Sequence, residues 1–139
     1  ISVNSRQVAK TLTDDGGKFK YRDIRLDEGE NKITIVARYK TEESKPLEIF
    51  INYIKEPPNL DIIEPSEGQV FYSNPNIEIK GTTNPGARIS VNERLIILDR
   101  NGNFNYPVKL TDGENTFKFK AENEAGNISE KELKVKYVQ

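Results

Sequence analysis

The chain contains no cysteine, histidine, methionine or tryptophan. Without cysteine there is no disulfide and no thiolate ligand, and without histidine no Ser-His-Asp triad or Cys-His dyad can form. The nucleophiles that remain are Ser, Thr and Lys, and none sits beside a recognisable activating base. The 22 carboxylates come with no local signature or apolar setting that would raise a pKa for acid/base work. Excess charge of one sign is also missing. Lys and Arg number 21, the net charge is −1, and no basic surface for nucleic acid is indicated. No apolar run approaches the ~20 residues that a membrane-spanning helix needs. These absences point to a non-catalytic protein with no cofactor and no metal.

What is present is alternation. Phe117-Lys118-Phe119-Lys120-Ala121 and Leu133-Lys134-Val135-Lys136-Tyr137 each place apolar residues at every second position. That period gives strands with one buried and one wet face, and the fold class is all-β. The interleaved Lys and Glu read as wet strand faces that discourage edge-to-edge pairing.

The sequence is also written twice. Ile1-Ser2-Val3-Asn4 returns as Ile89-Ser90-Val91-Asn92. Asp14 with Gly17-Lys18-Phe19-Lys20-Tyr21 matches Asp99 with Gly102-Asn103-Phe104-Asn105-Tyr106. Gly29-Glu30-Asn31 returns as Gly113-Glu114-Asn115, and Ile49, Ile51 and Tyr53 match Leu133, Val135 and Tyr137. A period of about 84 residues is too long for a solenoid and suits small sandwiches in tandem. The expected organisation is a first module over 1–56, a Pro-rich linker over 57–59 and a complete module over 60–139.

In the complete copy about seven strands are expected, at Leu60–Ile63, Asn76–Lys80, Arg88–Val91, Leu95–Leu98, Phe104–Leu110, Asn115–Glu122 and a last one ending near Tyr137. Their core should hold Ile77, Ile79, Ile89, Val91, Phe104, Val108, Leu110, Phe117, Phe119, Ala121, Leu133 and Val135. The first copy has no equivalents of Leu60–Ile63 and Ile77–Lys80. The chain is therefore expected to be a fragment or processed product, its first module either completed by other domains or chains of the same parent protein or by a swapped strand, or left frayed by truncation or proteolysis.

The motif series Pro-Gly-Ala, Ser-Val-Asn, Asp-Arg-Asn-Gly-Asn-Phe, Val-Lys-Leu-Thr-Asp-Gly-Glu-Asn and Ala-Glu-Asn-Glu-Ala-Gly-Asn resembles bacterial immunoglobulin-like modules. It is especially similar to the type found beside glucodextranase catalytic domains. The resemblance implies tandem Ig-like antiparallel β-sandwiches, exported or at the cell surface, acting without catalysis as spacers or in adhesion. It implies as the alternative an accessory carbohydrate-binding module of a secreted glycoside hydrolase. Thr41-Glu42-Glu43-Ser44 replaces Ala125-Gly126-Asn127, a departure from the pattern in the first copy.

Two kinds of site remain to be weighed. Asp99-Arg100-Asn101-Gly102-Asn103 and Asp14-Asp15-Gly16-Gly17 are oxygen-rich loops. They offer one or two carboxylates each where calcium takes six to eight oxygens, and hairpin turns are the favoured reading. For contact with a cell surface or a polysaccharide, Tyr39 and Tyr72 are the candidates. They have no counterpart in the other copy, whereas the repeated pairs Tyr21/Tyr106 and Tyr53/Tyr137 suggest packing.

Overall fold

Alternating residues become strands here because each strand can bury every second side chain. The computed structural model describes residues 1–139, with 14 strands and no helix, so no helix is long and apolar enough to cross a membrane. The chain divides into unit 1, Ile1–Lys55, and unit 2, Glu56–Gln139.

Unit 1 contains β1 (Ser2–Val3), β2 (Arg6–Gln7), β3 (Gly29–Ile35), β4 (Arg38–Tyr39), β5 (Glu42–Glu43) and β6 (Leu47–Tyr53). Four of these form one sheet in the order β2-β1-β3-β6, and β4-β5 is a separate small hairpin. The stretch from 8 to 28 joins β2 to β3 without a strand.

Unit 2 contains β7 (Leu60–Glu64), β8 (Val70–Tyr72), β9 (Asn76–Thr83), β10 (Arg88–Val91), β11 (Arg94–Ile96), β12 (Asn103–Lys109), β13 (Gly113–Glu122) and β14 (Ile128–Val138). A five-stranded sheet, β11-β10-β13-β14-β8, faces a three-stranded sheet, β12-β9-β7. Leu60, Ile79 and Phe104 from the smaller sheet meet Ile89, Val91, Phe117, Phe119, Ala121, Leu133 and Val135 from the larger one. The rings of Phe104 and Phe119 pack tilted, their centroids 5.7 Å apart. This is a two-layer sandwich with its core between the sheets.

Three details differ from the sequence expectation. Unit 2 has an eighth strand, β8, which pairs parallel to β14 while the other pairs are antiparallel. Ile77 and Val108 are only partly buried, and Leu60 and Tyr137 join the buried core instead. Both displaced residues sit where β9 and β12 pair near the end of their ladder, Val108 opposite Ile77, away from the sheet centre. Finally, residues 18–24, the counterpart of β12, form no strand, and beside the β4-β5 hairpin unit 1 has a single four-stranded sheet. It corresponds to β11-β10-β13-β14, and residues equivalent to β7 and β9 do not occur within 1–55.

The Pro-rich stretch belongs physically to unit 2. The Asn123 side chain donates to the Glu56 carbonyl at 2.9 Å, and Thr83 Oγ1 donates to the Asn59 carbonyl at 2.6 Å. Lys131 Nζ donates to the Leu60 carbonyl at 3.1 Å, which ties β14 to β7 across the edge of the sandwich.

Candidate interaction surface

The residues written twice explain themselves in the turns. Asp99 Oδ1 accepts from the backbone N–H of Asn101 and of Asn103, each at 2.8 Å. In the same way Asp14 Oδ1 accepts from Gly16 and Lys18 at 3.0 and 2.7 Å. Both loops are tight turns closed by a carboxylate standing in for a backbone acceptor, but neither joins two paired strands: the Asp14 turn lies in the strand-free stretch and the Asp99 turn carries the chain from one sheet of unit 2 to the other. The side-chain amide of Asn103 and then these backbone donors hold the Asp99 carboxyl below the usual carboxylate range.

The Gly-Glu-Asn motif is a second turn device. Gly29 and Gly113 have φ of 92° and 91°, a conformation that glycine adopts without penalty. Asn115 Oδ1 then accepts from Thr111 N at 2.9 Å while its Nδ2 donates to the Thr111 carbonyl at 2.8 Å. Asn31 does the same with Asp27, at 2.9 and 2.6 Å.

A third device is the two-residue hairpin. Asn4-Ser5 and Asn92-Glu93 all have positive φ, the type I′ geometry that matches the twist of the flanking strands. Asn92 Oδ1 accepts from Lys118 N at 2.9 Å, as Asn4 Oδ1 accepts from Lys32 N at 2.9 Å.

The outer face of the larger sheet in unit 2 is a shallow open groove lined by charges of both signs. Across it Arg88 lies opposite Glu122, Lys118 opposite Glu132 and Lys120 opposite Glu130. Such cross-strand pairs stabilise the sheet and leave no field of one sign. No group of three or more Asp or Glu side chains comes together to hold a metal ion. On the smaller sheet Lys80 lies 2.6 Å from Glu64, and this hydrogen-bonded carboxylate raises the Lys80 pKa.

No family model and no curated protein matches the chain, so the likeness to modules beside glucodextranase catalytic domains gains no support there. Among solved structures it is similar to the fibronectin(III)-like modules of CbhA from Clostridium thermocellum. The identity is 19% over 82% of this chain and 65% of that one, with a TM-score of 0.49.

Tyr39 and Tyr72 are both strongly exposed, at 72% and 67%. Tyr39 lies on β4, with Lys40 Nζ 5.3 Å from its ring centroid, and Tyr72 ends the edge strand β8 of unit 2. Each therefore stands in its own unit. Of the repeated tyrosines, Tyr137 is buried and Tyr106 packs on the core, while Tyr21 and Tyr53 are exposed. Leu95, within the edge strand β11, and Ile97, just after it, are exposed as well. A four-residue apolar run, Leu95 to Leu98, does not disclose which of its sides faces water, so sequence alone did not single them out.

Proposed function

We propose that the chain is a tandem pair of non-catalytic β-sandwich modules, the first incomplete, of a larger exported or cell-surface protein, serving as a spacer or in adhesion. One observation supports this above others: the polar residues duplicated between the copies are spent on folding. Asp14/Asp99, Asn31/Asn115 and Asn4/Asn92 all hold turns or join strands. Duplication of a chemical site would keep polar groups that are free to act on a ligand. What has been kept twice is a scaffold.

The alternative is an accessory carbohydrate-binding module, for which the exposed rings of Tyr39 and Tyr72 speak. Pull-down on insoluble polysaccharides together with a glycan array separates the two. A spacer is retained by nothing. Retention that is lost in Tyr39→Ala or Tyr72→Ala replaces the spacer reading by the carbohydrate one.

A further inference from the structure

The two copies provide an internal comparison of a covered and an uncovered sheet. The β3–β6 ladder has the register of β13–β14: Gly29 faces Tyr53 and Ile33 faces Ile49, as Gly113 faces Tyr137 and Phe117 faces Leu133. The surroundings are nonetheless opposite. Leu133, Val135 and Tyr137 are 3%, 1% and 9% exposed, whereas their equivalents Ile49, Ile51 and Tyr53 are 41%, 37% and 43% exposed. Phe104 is 4% exposed and its equivalent Phe19 is 46% exposed. Only Val3, Asn31 and Ile33 are buried in unit 1.

In unit 2 the covering comes largely from one contiguous stretch, Leu60–Thr83. It supplies β7 and β9, which with β12 close the sandwich, and β8, which pairs with the free edge of β14. Residues 18–24, the equivalent of β12, have the right sequence in unit 1 but no strand to pair with. Opposite Phe104 in β9 stands Gly81, where a Cβ would lie 2.3 Å from the Phe104 ring. A glycine at that register is what leaves room for the aromatic ring.

We propose that unit 1 is an acceptor site for one segment with the chemistry of Leu60–Thr83. The segment carries a strand that runs parallel to β6 beside Asn52 and Tyr53, the equivalents of Lys136 and Tyr137. It also carries a strand with alternating apolar residues and a glycine opposite Phe19. On binding, residues 18–24 become a strand, Phe19 and Tyr21 turn inward, and the apolar face of β6 is closed. Two effects drive this: removal of apolar surface from water, and pairing of the open edge. The inference is independent of whether the module serves as spacer, adhesin or carbohydrate binder.

The test adds a second copy of residues 60–88 directly ahead of Ile1 in the full chain, since Ile1 holds the place of Ile89. Amide hydrogen exchange over 18–24 and 47–53 should slow by ~10-fold or more relative to the native chain. A matched graft carrying Ile77→Asp and Ile79→Asp in the added copy should leave exchange there unchanged. As a second measurement, a fluorescent peptide of residues 60–83 titrated against the native chain should bind, with protection mapping to unit 1. Unchanged exchange in the graft together with no peptide binding overturns the proposal. So does a native chain that sediments as a dimer with 47–53 already protected, because the occupant is then a second copy of the chain.

Discussion

Gly17 and Gly102 occupy the same place in the same turn, yet alanine should cost very different amounts at the two. Their φ values are 74° and 84°, so a side chain at either position meets the left-handed penalty of ~1–2 kcal/mol. Stiffening of the unfolded chain returns about 0.5 kcal/mol of it. A Cβ on Gly17 meets nothing within 4 Å, and Gly17→Ala should therefore destabilise unit 1 by about 1 kcal/mol. A Cβ on Gly102 would lie 2.0 Å from the Thr83 carbonyl oxygen and 3.1 Å from Pro85 N. That clash is with backbone and cannot be relieved by a rotamer change. Separating the two strands also strains the 2.8 Å bond from Thr83 N to the Gly102 carbonyl. Overpacking of about 1–3 kcal/mol and a weakened hydrogen bond of about 1 kcal/mol bring Gly102→Ala to roughly 3–5 kcal/mol. Urea titrations followed by NMR, with resonances of each unit read separately, measure both values. Equal costs at the two positions would refute the reasoning, since the difference rests on the presence of β9 beside one turn and its absence beside the other.

Other expectations follow from the same geometry. Phe119→Ala removes a fully buried ring that packs on Phe104 and should cost about 3–5 kcal/mol in unit 2 by denaturant unfolding. Gly81→Ala should be at least as damaging as an ordinary overpacked site, about 3 kcal/mol. Adding Phe104→Leu should rescue it only in part, because the Asp61 carbonyl at 2.4 Å remains in the way. Glu93→Gly should stabilise the β10–β11 hairpin by roughly 0.5–1 kcal/mol, as Glu93 sits at φ 68°, and thermal unfolding would show a raised Tm. The Asp99 pKa is lowered on folding, so its contribution is complete above ~4 and is lost as pH falls through the lower folded value. The Lys80 pKa is raised, so its contribution is complete below ~10.4 and is lost as pH rises past that. Acid titration of stability should therefore lose a component below pH ~4 in Asp99→Ala, and alkaline titration one above ~10 in Lys80→Gln.

What the sequence discloses here depends on whether the physics is local. The turn devices were legible because one residue type does the work within four positions, as in Asp99 to Asn103 or Gly113 to Asn115. Strands with alternating residues, such as β13 and β14, were legible for the same reason. Strand β8 was not: Val70-Phe71-Tyr72 shows no alternation, and its partner is 66 positions away at Lys136. Pairing of that kind is decided by the assembled sheet and leaves no period in the segment itself.

The most instructive hidden feature is a slip between the copies. Val91 pairs with Phe119, but Val3 pairs with Ile33, the equivalent of Phe117. A slip of two residues keeps every side chain on its face, so the matching motifs Ile1-Ser2-Val3-Asn4 and Ile89-Ser90-Val91-Asn92 cannot reveal it. It has a local consequence. Asn4 comes close enough for its Nδ2 to donate to Asn31 Oδ1 at 3.1 Å and to Asp27 Oδ2 at 3.2 Å, while Asn92 Nδ2 reaches only the Thr116 carbonyl, at 3.4 Å. In unit 2 Val91 and Phe119 are both buried, so its register is held inside a packed two-layer core. In unit 1 no opposing layer selects between registers, and the polar network around the fully buried Asn31 decides instead. A segment that closes the open face adds apolar packing around Val3 and Ile33 that competes with this network, and cross-strand contacts of β1 and β3 in the graft of residues 60–88 show which of the two sets the register.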